Sequence, residues 1–277
     1  MSDPAFRADA TAGFDEVPAR GPYTLAGSNS AIFIPLANIT TSYQAIVNRI
    51  HGIIDDGSAA SYLPADYRTD ATMIAGYKQQ LALIAKLMND SRVPSLESTF
   101  ATGTSVRGVN LHPMSRGTVR LNLTDPLNVP IVNYGTGSNP IDFDVYLAHS
   151  KYLRRMLTTA TMQGFGAAEV TPGASVQTDA ALLEYIKSTM TLSFMHPCCT
   201  AGMMPKNKGG VVGANLKVHG AAGLRVVDMS VLPFLPSSHL SALAYAVGEK
   251  VRTCFSSQSI LDQGRANHLL GCRYYHT

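Results

Sequence analysis

Residues 109–134 read VNLHPMSRGTVRLNLTDPLNVPIVNY. Short runs of Val, Leu and Ile alternate here with Pro, Gly and Asp turns, which predicts strands near 108–112, 117–123 and 130–134. The flanks are helical. In residues 70–88, Ile74, Tyr77, Leu81, Ile84 and Met88 recur at helical spacing on one face, and in 140–160 Phe143, Leu147, Ser150, Leu153 and Leu157 do the same. Strand segments set between long helices argue an α+β fold, an antiparallel sheet backed by helices.

Working outward, residues 31–36 (AIFIPL) read as a short apolar strand and residues 41–54 as a helix on Tyr43, Ile46, Ile50 and Ile54. A helix is expected at 179–190 with Thr178 as its N-cap, a buried strand at 224–228 (LRVVD), and a last helix at 238–255. Residues 1–30 read as an irregular lead-in, and 256–277 show no periodicity and read as a loose tail. The nearest glycine pattern to a dinucleotide fingerprint, GFGAAE at 164–169, lacks the third glycine and follows a helix instead of a strand. The sequence therefore shows no glycine-rich βαβ unit of the usual dinucleotide-binding kind.

The bulk numbers narrow the classes. The chain has 277 residues, 45% hydrophobic and 15% charged, enough for a substantial core. Net charge is +3 with no long basic run, so neither nucleic acid nor a membrane surface is indicated as a partner. No apolar run reaches the ~18 residues of a membrane span. There are four cysteines, two of them adjacent (Cys198 and Cys199), and no Cys-x-x-Cys pair, so no metal site and no disulfide framework is expected.

The candidate chemistry lies in residues 194–212, FMHPCCTAGMMPKNKGGVV, and just beyond. His196 follows the apolar run TLSFM, and His239 stands at the start of the last helix behind Pro236, Ser237 and Ser238. Ser237 or Ser238 could cap that helix. A helix start favours an anionic ligand and a neutral imidazole, the form a general base needs. A bland reading competes for each: a lone histidine in apolar surroundings commonly serves the core or the surface. Met203 and Met204 read as core filler and Gly209–Gly210 as a turn, since no Gly-Lys-Ser/Thr follows. His51, His112, His149, His219, His268 and His276 carry no usable pattern.

The order of these pieces carries more than any one of them. His196, a Thr-x-Gly-Met turn at 200–203, Gly-Gly-Val-Val at 209–212, LKVHGAAGLRVVDMSVLP at 216–233 and SSHLSALAYAVGEK at 237–250 resemble the C-terminal signature of the glucose–methanol–choline (GMC) oxidoreductases. RGPYT at 20–24 and HPMSRGTVRLNLTDPLNVPIVNY at 112–134 extend the resemblance upstream, with the closest flavour in the aryl-alcohol oxidase, glucose oxidase and versicolorin B synthase-like branch. Two departures stand out. Gly248 replaces the usual Ala, and Cys198 and Cys199 stand where the family commonly has small residues and a glycine.

The resemblance implies FAD as cofactor and a small-molecule alcohol as substrate. His196 would take the hydroxyl proton while hydride leaves for flavin N5, and His239 would bond the same oxygen. The backbone around Leu240 would face the flavin, and Asp228 and Met229 would approach its ribityl and phosphate groups. It also implies a division into a lead-in at 1–24, a substrate-binding domain at 25–190, a flavin-facing segment at 191–255 and a tail. The family's N-terminal FAD-binding βαβ unit is absent from this sequence, so weak or no FAD binding by this polypeptide alone is expected. A separate FAD-domain chain or a homo-oligomer would be its partner. Three alternatives stay open: a non-catalytic remnant that binds a partner or an apolar ligand, a non-redox flavoprotein cyclase of the same family, and a thiol or zinc enzyme using Cys198 and Cys199.

Overall fold

The computed structural model describes residues 4–24, 30–101 and 105–262. In chain order the elements are α1 (Pro4–Phe14), β1 (Ser30–Pro35), α2 (Leu36–Ile39), α3 (Tyr43–Asp55), α4 (Ala71–Asn89), β2 (Pro94–Ala101), β3 (Ser105–Asn110), β4 (Thr118–Arg120), β5 (Ile131–Asn133), α5 (Ile141–Leu157), α6 (Ala160–Gly164), α7 (Asp179–Thr189) and α8 (Ser241–Asp262). The class is α+β with two small antiparallel sheets, ordered β1-β2-β3 and β4-β5. No described helix is long and apolar enough to cross a membrane. The chain divides into two units, the first of residues 1–51, 84–113 and 140–190, the second of 52–83, 114–139 and 191–277.

In the first unit β2 is the central strand, with Leu96 opposite Ile34 on β1 and Asn110 on β3. Its sequence, PSLESTFA, hides this position. Ser95, Glu97 and Ser98 are all buried, so no apolar alternation marks the strand. α5 packs on β3. Its deepest stripe is Ile141, Val145 and His149, at i, i+4 and i+8. The expected face through Phe143, Leu147, Ser150, Leu153 and Leu157 is only half-buried. The helix is where periodicity puts it, but its deepest line runs through a polar residue that a hydrophobicity pattern overlooks. α5 carries Asp142 and Asp144 in its first turn and Arg154 and Arg155 in its last, matching the helix dipole. Thr178 caps α7 as expected, its hydroxyl accepting from the Ala181 amide at 3.1 Å.

Residues 1–30 are not wholly irregular: α1 occupies Pro4–Phe14, a short Ala-rich helix with a weak apolar face and only Ala10 and Gly13 buried. Small side chains bury little, so periodicity gave no signal there.

In the second unit α4 contributes Tyr77 and Leu81, both buried as its face predicts. Tyr77 joins the helix to the 113–139 stretch. Its hydroxyl donates to the Met114 carbonyl at 2.9 Å and accepts from Asn139 Nδ2 at 3.0 Å, while the Arg116 guanidinium lies 5.4 Å over its ring. Gln80, one turn further on, takes the Arg116 Nε–H at 3.1 Å and donates to the Pro233 carbonyl at 2.6 Å. β4 and β5 pair Val119 with Val132 and are shorter than predicted. The expected strand at 224–228 forms no strand. Arg225 makes an isolated bridge with Lys217, and the chain then turns at Asp228. Val212, Leu216, Val231 and Val251 form a small core, with Met203 packed on it as filler. α8 runs to Asp262, so residues 256–262 are helical where a loose tail was expected, and 263–277 lie outside the described residues.

Candidate active site

All the predicted site residues belong to the second unit. His196 ends a turn in which Ser193, Phe194 and Met195 take φ of 59°, 47° and 59°, and its amide returns to the Ser193 carbonyl at 2.9 Å. Left-handed backbone at non-glycine residues costs on the order of 1–3 kcal/mol each and persists only where its surroundings fix it. Three in a row, directly before a candidate base, mark a conformation set by position and not by local preference.

The structure brings His196 and His239 together. Nε2 of His196 lies 2.9 Å from Nδ1 of His239, with the rings nearly perpendicular at 82° and centroids 4.8 Å apart. One of these nitrogens must donate and the other accept, so one proton is shared along the contact and the tautomers are coupled. Phe194 sets its ring edge-on to His196 at 6.2 Å. His196 is half-buried and His239 exposed. Both rings can therefore meet a ligand from outside.

His239 was expected to lie at the start of the last helix, capped by Ser237 or Ser238. α8 instead begins at Ser241, with the Leu240 carbonyl accepting the Ala244 amide at 2.9 Å. Leu240 therefore holds the cap position and is itself buried, while His239 immediately precedes it. The amides of the first helical turn have no intrahelical acceptors, a setting suited to negative charge. Asp228 is already engaged: its carboxylate accepts from the Ser230 amide at 2.8 Å, capping a single helical turn at Met229–Val231. Met229 takes part through its backbone, its carbonyl accepting from the Cys199 amide at 3.2 Å. The pairs Ala201–Ser230 and Met203–Val231 continue that ladder.

Gly209 and Gly210 form a turn, as read. Gly209 has φ of 70°, and a Cβ on Gly210 would fall 1.8 Å from the Met204 carbonyl oxygen. His219 is structural, with Nε2 3.1 Å from that same carbonyl. Two features went unread in the sequence. The left-handed 193–195 turn has no glycine to announce it. Cys198 and Cys199 are joined by a disulfide, where no disulfide framework was expected. Their adjacency was the available signal. Among the described residues no group of three or more His, Cys, Asp or Glu side chains is gathered in a way that could hold a metal ion.

The family model described as GMC oxidoreductase matches residues 113–248, which contain both histidines, the glycine turn and the start of α8. The chain belongs to the GMC oxidoreductase family. Among solved structures it is similar to a fungal aryl-alcohol oxidase, at 57% identity and a TM-score of 0.83, covering 90% of this chain and 42% of that one. An FAD-dependent oxidoreductase from Chaetomium thermophilum superposes with a TM-score of 0.84 at 33% identity, over 93% of this chain and 44% of its own. Dehydrogenase xptC of Emericella nidulans is 36% identical over 201 residues, 72% of this chain and 32% of that protein. The chain thus spans under half the length of these relatives.

Proposed function

We propose that this chain supplies the histidine pair and the flavin-facing surface of an FAD-dependent oxidation of an alcohol. The observation that carries the reading is the convergence of His196 Nε2 and His239 Nδ1 at 2.9 Å on a partly exposed site inside the family match. Two imidazole nitrogens 2.9 Å apart can both bond one oxygen that comes between them. An alcohol oxygen entering between them would replace the direct contact with one bond to each ring. His196 then accepts the hydroxyl proton, which raises electron density on the carbinol carbon and eases hydride loss. His239 holds the oxygen in place and stabilises the charge it develops.

The cofactor fits the residues present. The first turn of α8, directly after His239, presents backbone donors to an anion, and Leu240 closes the cap as a buried apolar residue. When bound, FAD supplies the hydride acceptor. The backbone around Leu240, with the free amides of the first turn of α8, would hold the flavin and stabilise its negative charge. Asp228, already bound to the Ser230 amide, would act by fixing the backbone at Met229. Support for an alcohol substrate comes from the aryl-alcohol oxidase neighbour at 57% identity.

A partner or further portion carrying the rest of the FAD site belongs to this reading. It is favoured by apolar side chains exposed on and around β4 and β5, among them Val119, Leu121, Leu123, Val129 and Ile131. The test is the absorbance spectrum of the purified chain after incubation with FAD and desalting, with and without a co-expressed FAD-binding portion. Flavin bands that bleach on adding an aryl alcohol under anaerobic conditions support the proposal. Bound flavin that no alcohol reduces would move the reading to a non-redox use of the same site. No flavin in either preparation would leave a non-catalytic remnant.

A further inference from the structure

We propose that Cys198 and Cys199 are a reversible oxidation site, a dithiol–disulfide couple that sets the backbone of the turn bearing His196. Its consequence for catalysis rests on the proposed function; the couple itself does not. The structure joins the two adjacent sulfurs as a disulfide, and both residues are half-buried, within reach of a small reagent. Cys199 has φ of 75°, a left-handed conformation natural to glycine and strained for any residue with a Cβ. Here a bond between neighbouring side chains closes a small ring that restrains the same backbone by covalent means.

Both sides of this ring lead into the site. Upstream, Cys198 is two residues from His196. Downstream, the Cys199 amide starts the ladder to Met229, Ser230 and Val231, with donor–acceptor distances of 3.2, 2.9 and 2.8 Å. With the disulfide open, Cys199 keeps its Cβ and loses the ring. The Cys199 amide keeps its hydrogen bond to the Met229 carbonyl, but the covalent restraint on its left-handed backbone is gone. The two redox states therefore differ in how firmly the His196 turn is registered against the 229–231 segment.

The chemistry balances with a peroxide as oxidant. One thiolate attacks the O–O bond, giving a sulfenic acid and one water. The neighbouring thiol then displaces the hydroxyl as a second water, and the S–S bond closes. Two electrons pass from the sulfurs to the peroxide, and both thiol protons leave in water. A dithiol reductant reverses the step, breaking the S–S bond and becoming a disulfide itself.

The experiment uses the full chain. It is treated with hydrogen peroxide or with dithiothreitol, alkylated with iodoacetamide, and the peptide containing both cysteines is weighed. Imidazole nitrogen shifts of His196 and His239 are recorded by NMR in both states. The expected result is two alkyl groups after reduction and none after peroxide, restored by dithiothreitol, with the His196 shifts moving between the states. In Cys199→Gly the shifts should stay at the oxidised position under both conditions, because glycine adopts the turn unaided. In Cys198→Ser they should stay at the reduced position. Double alkylation under both conditions, irreversible over-oxidation, or wild-type shifts that ignore the redox state would each overturn the proposal. If a variant does not fold, the wild-type alkylation and shifts decide by themselves. None of these readouts involves turnover, so failure of the alcohol-oxidation reading would leave them standing.

Discussion

His149 and His196 carry the same ring in opposite surroundings. His149 sits mid-helix on α5 at 2% exposure, with Nε2 3.2 Å from the Ser95 hydroxyl. Burial pushes its pKa down from 6.5 to about 3, so at neutral pH it is an uncharged packing residue. His196 sits at the end of a strained turn, half-buried, facing a second imidazole at 2.9 Å. A regular helix buried on the sheet side removes a histidine from proton traffic. An irregular turn leaves one half-buried beside a second imidazole. The contrast teaches that environment, and not residue type, separates the catalytic candidate from the core.

The sharpest way to break this contrast is His196→Ala in a complete flavoenzyme. Loss of a general base should lower turnover by on the order of 10²–10⁴, about 3–5 kcal/mol of barrier, with little change in the thermal midpoint. His149→Ala should do the reverse, destabilising the chain without entering the chemistry. Unchanged turnover in His196→Ala, measured with an aryl alcohol at saturating concentration, would remove the base assignment.

The second test uses acid. Between the ordinary pKa of 6.5 and the folded value of about 3, the unfolded chain binds a proton that folded His149 refuses. Its folded pKa is depressed, so stability must fall as pH drops below about 6.5 and level off below about 3. The full span corresponds to several kcal/mol, on the order of 4. His149→Gln keeps an amide able to bond Ser95 and has nothing to titrate. Urea midpoints of the two proteins at pH 7 and pH 4.5 should converge on acidification. Parallel pH dependence in both would show that the His149 ring is not the group that resists protonation.

The sequence made His196 and His239 visible because family order singled them out, and it made α4 and α5 visible because their periodicity is long. It could not show β2, whose buried Ser95, Glu97 and Ser98 look like a surface loop. Nor could it show that 224–228 would turn away from a ladder after Arg225, since apolar composition alone does not say whether a partner strand exists. Strain was invisible for a similar reason. Residues 193–195 contain no glycine, and their left-handed backbone comes from what surrounds them.

A smaller effect probes the second unit away from its histidines. Tyr77→Phe removes a buried hydroxyl that donates to Met114 and accepts from Asn139. The groups left behind should cost roughly 1–3 kcal/mol in denaturant unfolding. The ring stays, so its contact with Arg116 should persist. A change within a few tenths of a kcal/mol would mean that water or a neighbour takes over both bonds.

The smallest expected effect compares two helix starts. Thr178 lies at the cap of α7 and its hydroxyl reaches the Ala181 amide. Ser238 resembles a cap in sequence but stands before the true start of α8, where Leu240 holds the position. Thr178→Ala should therefore cost about 1 kcal/mol, and Ser238→Ala should stay within about 0.5 kcal/mol. Equal losses would place a cap at Ser238 and lengthen α8 toward His239, bringing the helix dipole closer to the imidazole pair. Unequal losses keep His239 just outside the helix, ahead of the Leu240 cap. Two thermal-unfolding curves thus ask whether the second histidine lies inside α8 or ahead of it.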